Sequence, residues 1–106
     1  MYLKKFHNGV LLSRETSINL ELGMVKLGKG KSNKLGLHPD EEEAYIILKG
    51  SAKLLLGKEN IKVKSGSIIY VPAGVLHQFT ALTDDFEYIY AATWPEELKK
   101  KRKTGK

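Results

Sequence analysis

Residues 66–81 read GSIIYVPAGVLHQFTA, two short apolar runs broken by Pro72 and Gly74. Proline sets φ and removes a backbone donor, while glycine tolerates the conformations of a tight reversal, so the pair marks a turn between two strands. The period of two in the second run puts His77, Phe79 and Ala81 on one face. If that face is interior, its imidazole needs a hydrogen-bond partner or a metal.

The same alternation extends outward in both directions. AYIILKGSAKLLLGKENIKVKSG (44–66) reads as three short strands punctuated at Gly50, at GKEN and at Ser65–Gly66, and DFEYIYAATW (85–94) as one more, rich in Tyr and Phe. In SINLELGMVKL (17–27), Ile18, Leu20, Leu22 and Met24 share a face before Val25 and Leu27 change parity, which predicts a bulge or bend near Gly23. GKGKSNK (28–34) is a flexible loop by composition. Seven or eight short strands with turn signals every 8–12 residues point to an antiparallel sandwich or barrel. TWPEELKKKRK (93–103) departs from the pattern: Pro95 near a start, Glu96 and Glu97 in the first turn, and Lys100 and Lys101 four residues on predict a short helix.

With 106 residues the chain has the size of one domain, assigned to residues 1–98. It has no cysteine, which excludes disulfides and thiolate metal sites and suits a reducing cytoplasm. No apolar run has the length of a membrane span, and MYLKKFHNGVLLSRE (1–15) lacks the apolar stretch of a secretory signal, so a cytoplasmic location is expected. Of the 18 basic residues, six lie in KKKRKTGK (99–106), leaving 12 basic against 12 acidic residues in 1–98. The charge of +6 therefore belongs to a disordered basic tail rather than to the domain, and nucleic acid is not the expected partner. One glutamine, no cysteine and abundant Lys and Glu give a thermophile-like composition.

Of the three histidines, His7 has no partner in sequence and reads as a surface residue. His38 stands in GLHPDEEEAYIILKG (36–50), where a loop carrying acids enters a strand. The two blocks together resemble the cupin superfamily. Its second motif, G-x5-P-x-G-x2-H-x3-N, is matched by Gly66, Pro72, Gly74 and His77, with Ala81 in place of the final Asn. Its first, G-x5-H-x-H-x(3,4)-E-x6-G, is matched by His38, Glu43 and Gly50, while Gly36 stands at the earlier histidine. Glu42 satisfies one variant of the His-to-Glu spacing but leaves seven residues before Gly50; Glu43 satisfies both spacings and is preferred. Asp40, Glu41 and Glu42 then read as solvated loop charge.

The resemblance spans roughly residues 16–93 and implies an antiparallel jelly-roll barrel, the double-stranded β-helix, with metal ligands in its mouth. His38, Glu43 and His77 are the candidate ligands. Two imidazoles and a carboxylate suit divalent Fe, Mn, Ni, Cu or Zn and leave positions for water or substrate. Tyr45, on the strand face of Glu43, and Phe79, on that of His77, are the candidate substrate-pocket residues; Tyr88, Tyr90 and Trp94 read as core or dimer contacts. The resemblance is compatible with a metal-dependent, dioxygenase-like oxidoreductase acting on a small polar molecule, with a sugar or sugar-phosphate isomerase or epimerase, and with a non-catalytic small-molecule-binding cupin. Uncovered strand edges, MYLKKF among them, point to a homodimer.

Overall fold

The computed structural model describes Lys5 and residues 7–94. They form eight antiparallel strands: β1 (Gly9–Leu12), β2 (Leu20–Leu27), β3 (Glu42–Lys49), β4 (Ser51–Leu56), β5 (Glu59–Lys64), β6 (Ile68–Val71), β7 (His77–Ala81) and β8 (Phe86–Thr93). A five-stranded sheet has the order β1-β2-β8-β3-β6 and a three-stranded sheet the order β5-β4-β7. The chain passes between sheets at Gly50, on either side of β6 and again between β7 and β8, the crossing pattern of a jelly roll. No helix occurs among the described residues; the predicted helix after Trp94, the basic tail and the MYLKKF edge lie outside them, Lys5 apart. Among the described residues no helix is long and apolar enough to cross a membrane.

Inward residues of both sheets make one core. Tyr45, Ile47, Phe86 and Tyr88 of the larger sheet meet Leu54, Val63 and Phe79 of the smaller one. The strand alternation produces this directly, because burying every second residue of β3 and β7 satisfies the backbone in the ladders and the side chains in the core. Phe79 has its ring centroid 5.0 Å from Tyr45 and 4.8 Å from Tyr88.

Two sequence expectations are corrected. β2 pairs with β8 in unbroken register through Gly23, and the irregularity falls on the facing β1, between Val10 and Leu12. Gly23 answers a different need: a Cβ there would sit 2.2 Å from the ring of its cross-strand neighbour Tyr90, so the glycine lets that ring lie flat over the strand. The parity change has a topological cause, since Val25 and Leu27 pack on the core while Ile18, before β2 begins, is 94% exposed.

GKGKSNK is the second correction. Part of it runs antiparallel along β7: the N–H groups of Gly30 and Asn33 donate to the Ala81 and Phe79 carbonyls, and Ala81 N–H donates to Lys31. Gly36 and His77 exchange both backbone hydrogen bonds, at 2.9 and 3.0 Å. Its polar side chains complete the pairing, for Asn33 accepts from Phe79 N–H and donates to the Tyr88 hydroxyl. Composition cannot show this, because the backbone and not an apolar face carries the strand. β1 is a strand that the weak alternation of residues 9–12 does not announce.

Candidate metal centre

One end of the barrel opens into a cavity of about 270 Å³ whose wall includes His38, Glu43, Tyr45 and His77. His77 begins β7 with its imidazole inward, and its side chain is 4% exposed. Its Nδ1 lies 2.9 Å from the Val75 carbonyl. A carbonyl can only accept, so Nδ1 carries a hydrogen and Nε2 is the nitrogen left to face Glu43 and the cavity, with a proton toward the carboxylate or, when that proton is lost, with its lone pair. Glu43, in the first turn of the pleat of β3, has Oε1 3.0 Å from His77 Nε2 and 3.7 Å from His38 Nε2. Its Oε2 accepts a 3.0 Å hydrogen bond from the Tyr45 hydroxyl, which holds Oε1 toward the imidazoles. His38 arrives from the loop before β3, and its side chain is 43% exposed.

One donor atom from each of His38, Glu43 and His77 lies within 4.8 Å of the others. Two neutral imidazole nitrogens and one carboxylate oxygen on adjacent elements can hold a first-row divalent ion on one face and leave its other face open. Gly36 supports the fit. An added Cβ there would stand 2.7 Å from His77 Nε2 and 3.3 Å from His38 Nε2, so a residue with a side chain would press into the converging donors. Three groups can therefore converge, and the cavity remains accessible on that side.

Without an ion, Glu43 and His77 pair directly at 3.0 Å. Burial alone would push the Glu43 carboxyl up, but hydrogen bonds from His77 and Tyr45 and the two imidazoles outweigh it and lower its pKa. Burial likewise disfavours the His77 imidazolium, yet the hydrogen bonds to Glu43 and the Val75 carbonyl and the carboxylate charge prevail and raise it. Proton and metal compete for the same Nε2.

Among the expected pocket residues, Tyr45 lines the cavity with its hydroxyl committed to Glu43. Phe79 is fully buried beneath Tyr45 and does not reach the cavity wall. Glu41, expected as solvated charge, is 8% exposed and faces the cavity. It pairs with Arg14 at 2.5 Å, while Arg14 Nε donates to Glu21 at 2.7 Å and its guanidinium sits 4.4 Å from the centre of the Trp94 ring. Glu42 stays outside, where it accepts from the Tyr70 hydroxyl. Of the residues expected as core or dimer contacts, Tyr88 is in the core and Tyr90 is partly buried against it, and both line the cavity. Arg14, Glu21, Glu41, Tyr88 and Tyr90 thus join the site from segments far apart in sequence, and only the inward parity of Glu21, Tyr88 and Tyr90 could have pointed to them.

Comparison with known proteins agrees with this architecture. Residues 23–91 match the cupin domain family model. An uncharacterised protein of Streptomyces coelicolor is 30% identical over 90 residues, covering 85% of each chain. The cupin domain of Schizosaccharomyces pombe Cnp3 superposes with a TM-score of 0.79 at 16% identity, over 92% of this chain and 70% of that one. A predicted oxalate decarboxylase of Thermotoga maritima superposes with a TM-score of 0.70 at 23% identity, over 81% of this chain and 77% of that one. Family match, jelly-roll topology and inward His and Glu residues agree: the chain belongs to the cupin family.

Proposed function

We propose that His38, Glu43 and His77 hold one divalent first-row ion, and that the protein is a metal-dependent, dioxygenase-like oxidoreductase acting on a small polar molecule. The observation that carries this reading is the convergence of two imidazole nitrogens and one carboxylate oxygen within 4.8 Å at a cavity wall. A two-histidine, one-carboxylate face is the donor set of non-haem iron oxygenases. When bound, the ion supplies Lewis acidity and, as iron, access to oxygen chemistry. The protein's own part is positional: Val75 fixes the His77 tautomer, Tyr45 aims Glu43, and Gly36 keeps the approach clear.

Isomerisation or epimerisation is the second reading, and the cavity gives it less support. By a proton-transfer route, either needs a base to take a proton from carbon. Glu21 and Glu41 are paired with Arg14, and Glu43 is assigned to the metal. A non-catalytic cupin would keep the cavity and lack turnover.

Metal analysis of protein made without a chelating tag tests the proposal. About one equivalent of first-row metal is expected in the wild type and none in His77→Ala; oxygen consumption with a panel of diols and thiols then separates oxygenase from isomerase. Wild-type protein that neither retains nor takes up metal would overturn it.

A homodimer and a cytoplasmic location complete the reading. On the outer face of the larger sheet the cross-strand neighbours Ile46 and Ile68 are 45% and 76% exposed, beside Tyr70 at 56%. Such an apolar patch favours a partner surface. Light scattering at micromolar concentration is expected to give twice the chain mass, and a monomer would count against it.

A further inference from the structure

The hydrogen-bonding capacity of the cavity wall is unevenly used. Its three carboxylates are all engaged. Glu21 accepts from Arg14 Nε on Oε1 and from the Tyr90 hydroxyl on Oε2, each at 2.7 Å. Glu43 faces His77 with Oε1 and accepts from Tyr45 with Oε2, both at 3.0 Å. Glu41 holds an Arg14 Nη at 2.5 Å.

The donors are less fully used. Tyr88 is 2% exposed and its hydroxyl oxygen receives Asn33 Nδ2–H at 3.1 Å, which leaves the phenolic hydrogen to point elsewhere along the wall. A guanidinium carries five N–H groups. Arg14 commits Nε to Glu21 and one Nη to Glu41, which leaves three of its N–H groups outside these two pairs on a side chain that lines the cavity, and the Trp94 ring and the two ion pairs hold the group in place. Lys34 also stands on the wall and makes no ion pair with another described residue. Two cations face three carboxylates, so a divalent ion at the histidines would make the wall formally positive by one charge.

A wall with engaged acceptors, spare donors and one excess positive charge is complementary to a ligand that brings acceptors and one negative charge. We propose that the cavity takes a small monocarboxylate whose carboxyl group is read by Arg14 and the Tyr88 hydroxyl. This rests on the metal reading for the sign of the net charge, and it adds the class of substrate and two specificity-determining residues. The size agrees, since about 270 Å³ lies just below the roughly 300–1,000 Å³ of pockets for drug-sized ligands. Arg14 selects by charge and orientation, and Tyr88 supplies a neutral donor from the cavity floor.

The test is calorimetric titration of Co(II)-loaded protein with acetate, lactate and pyruvate, each against its neutral amide of nearly the same shape. The best carboxylate is expected to bind at least about tenfold more tightly than its amide, as charge-assisted hydrogen bonds require. Arg14→Gln is expected to reduce that preference to about twofold or less and Tyr88→Phe to weaken the carboxylate by about threefold to tenfold, both with Co(II) affinity nearly unchanged. Circular dichroism checks the fold, and Tyr88→Phe, which keeps the ring, carries the test should Arg14→Gln unfold. Equal binding of acids and amides, or an undiminished preference in a folded variant, would overturn the proposal. Failure of the wild type to bind Co(II) would overturn the metal reading and, with it, the charge balance on which the carboxylate preference rests, whereas Co(II) binding without that preference would overturn the carboxylate proposal alone.

Discussion

The two ends of the barrel interior are built from the same strands and have opposite chemistry. Along β8 the inward residues run Phe86, Tyr88, Tyr90 and Ala92, and along β3 in the reverse direction Ile47, Tyr45 and Glu43. β7 runs from Ala81 through Phe79 to His77, and β2 from Leu27 and Val25 to Glu21. One end is closed by aliphatic and phenyl groups, the other is lined by ionisable ones, and three tyrosines stand near the boundary. A tyrosine suits that place because its ring packs on the core while its hydroxyl reaches the polar end. The metal candidates are thus anchored in a packed interior instead of in a loop. His38 is the exception, and its exposure beside the enclosed His77 makes the two histidines unequal partners.

Substitutions can break this contrast at either end. The largest effect is expected from His77→Ala, which removes the enclosed ligand and abolishes stoichiometric metal uptake, whereas His38→Ala leaves the better-held pair and retains weak binding; metal titration of the two variants measures the difference. At the closed end, Phe79→Ala empties space under Tyr45 and Tyr88 and is expected to cost about 3–5 kcal/mol in denaturant unfolding. At the boundary, Tyr45→Phe keeps the packing and deletes the hydrogen bond to Glu43, with an expected 10-fold to 100-fold loss of metal affinity, roughly the effect of removing such outer-shell partners, and little change in stability.

The smallest effect is expected from alkaline pH. Burial, with Glu43's charge adding to it and the Asn33 hydrogen bond partly offsetting it, pushes the Tyr88 phenol up to about 12. Tyr90 is raised as well, by burial and by its bond to Glu21. The folded state then holds protons that the unfolded chain releases near the ordinary phenol value of about 10. Their contribution to stability is complete below that value and lost as pH rises toward 12. Absorbance titration is expected to show these phenols ionising only as the protein unfolds; early ionisation would mean that the boundary is open to water.

Period-two alternation between turn residues made β3 to β8 legible, because a strand buried on one face must alternate. The candidate ligands His38, Glu43 and His77 were legible through the resemblance to the two cupin motifs, in which Gly50, Pro72 and Gly74 stand at the expected spacings. GKGKSNK was not: its pairing with β7 is a backbone interaction that leaves no apolar pattern. Glu41 looked like its acidic neighbours, and its burial depends on Arg14, 27 positions earlier, coming to meet it.

By itself the sequence determined an all-β chain of the cupin type and the three residues that could bind a metal, since strand period, turn residues and motif spacing are local properties. Only the tertiary structure decided what surrounds them. Tyr45 orients Glu43, Phe79 belongs to the core, Gly36 clears the approach, and Arg14 and Tyr88 line the cavity. The physical reason is that hydrogen-bond partners, burial and charge balance are set by the approach of segments distant in the chain. No local spacing records that approach.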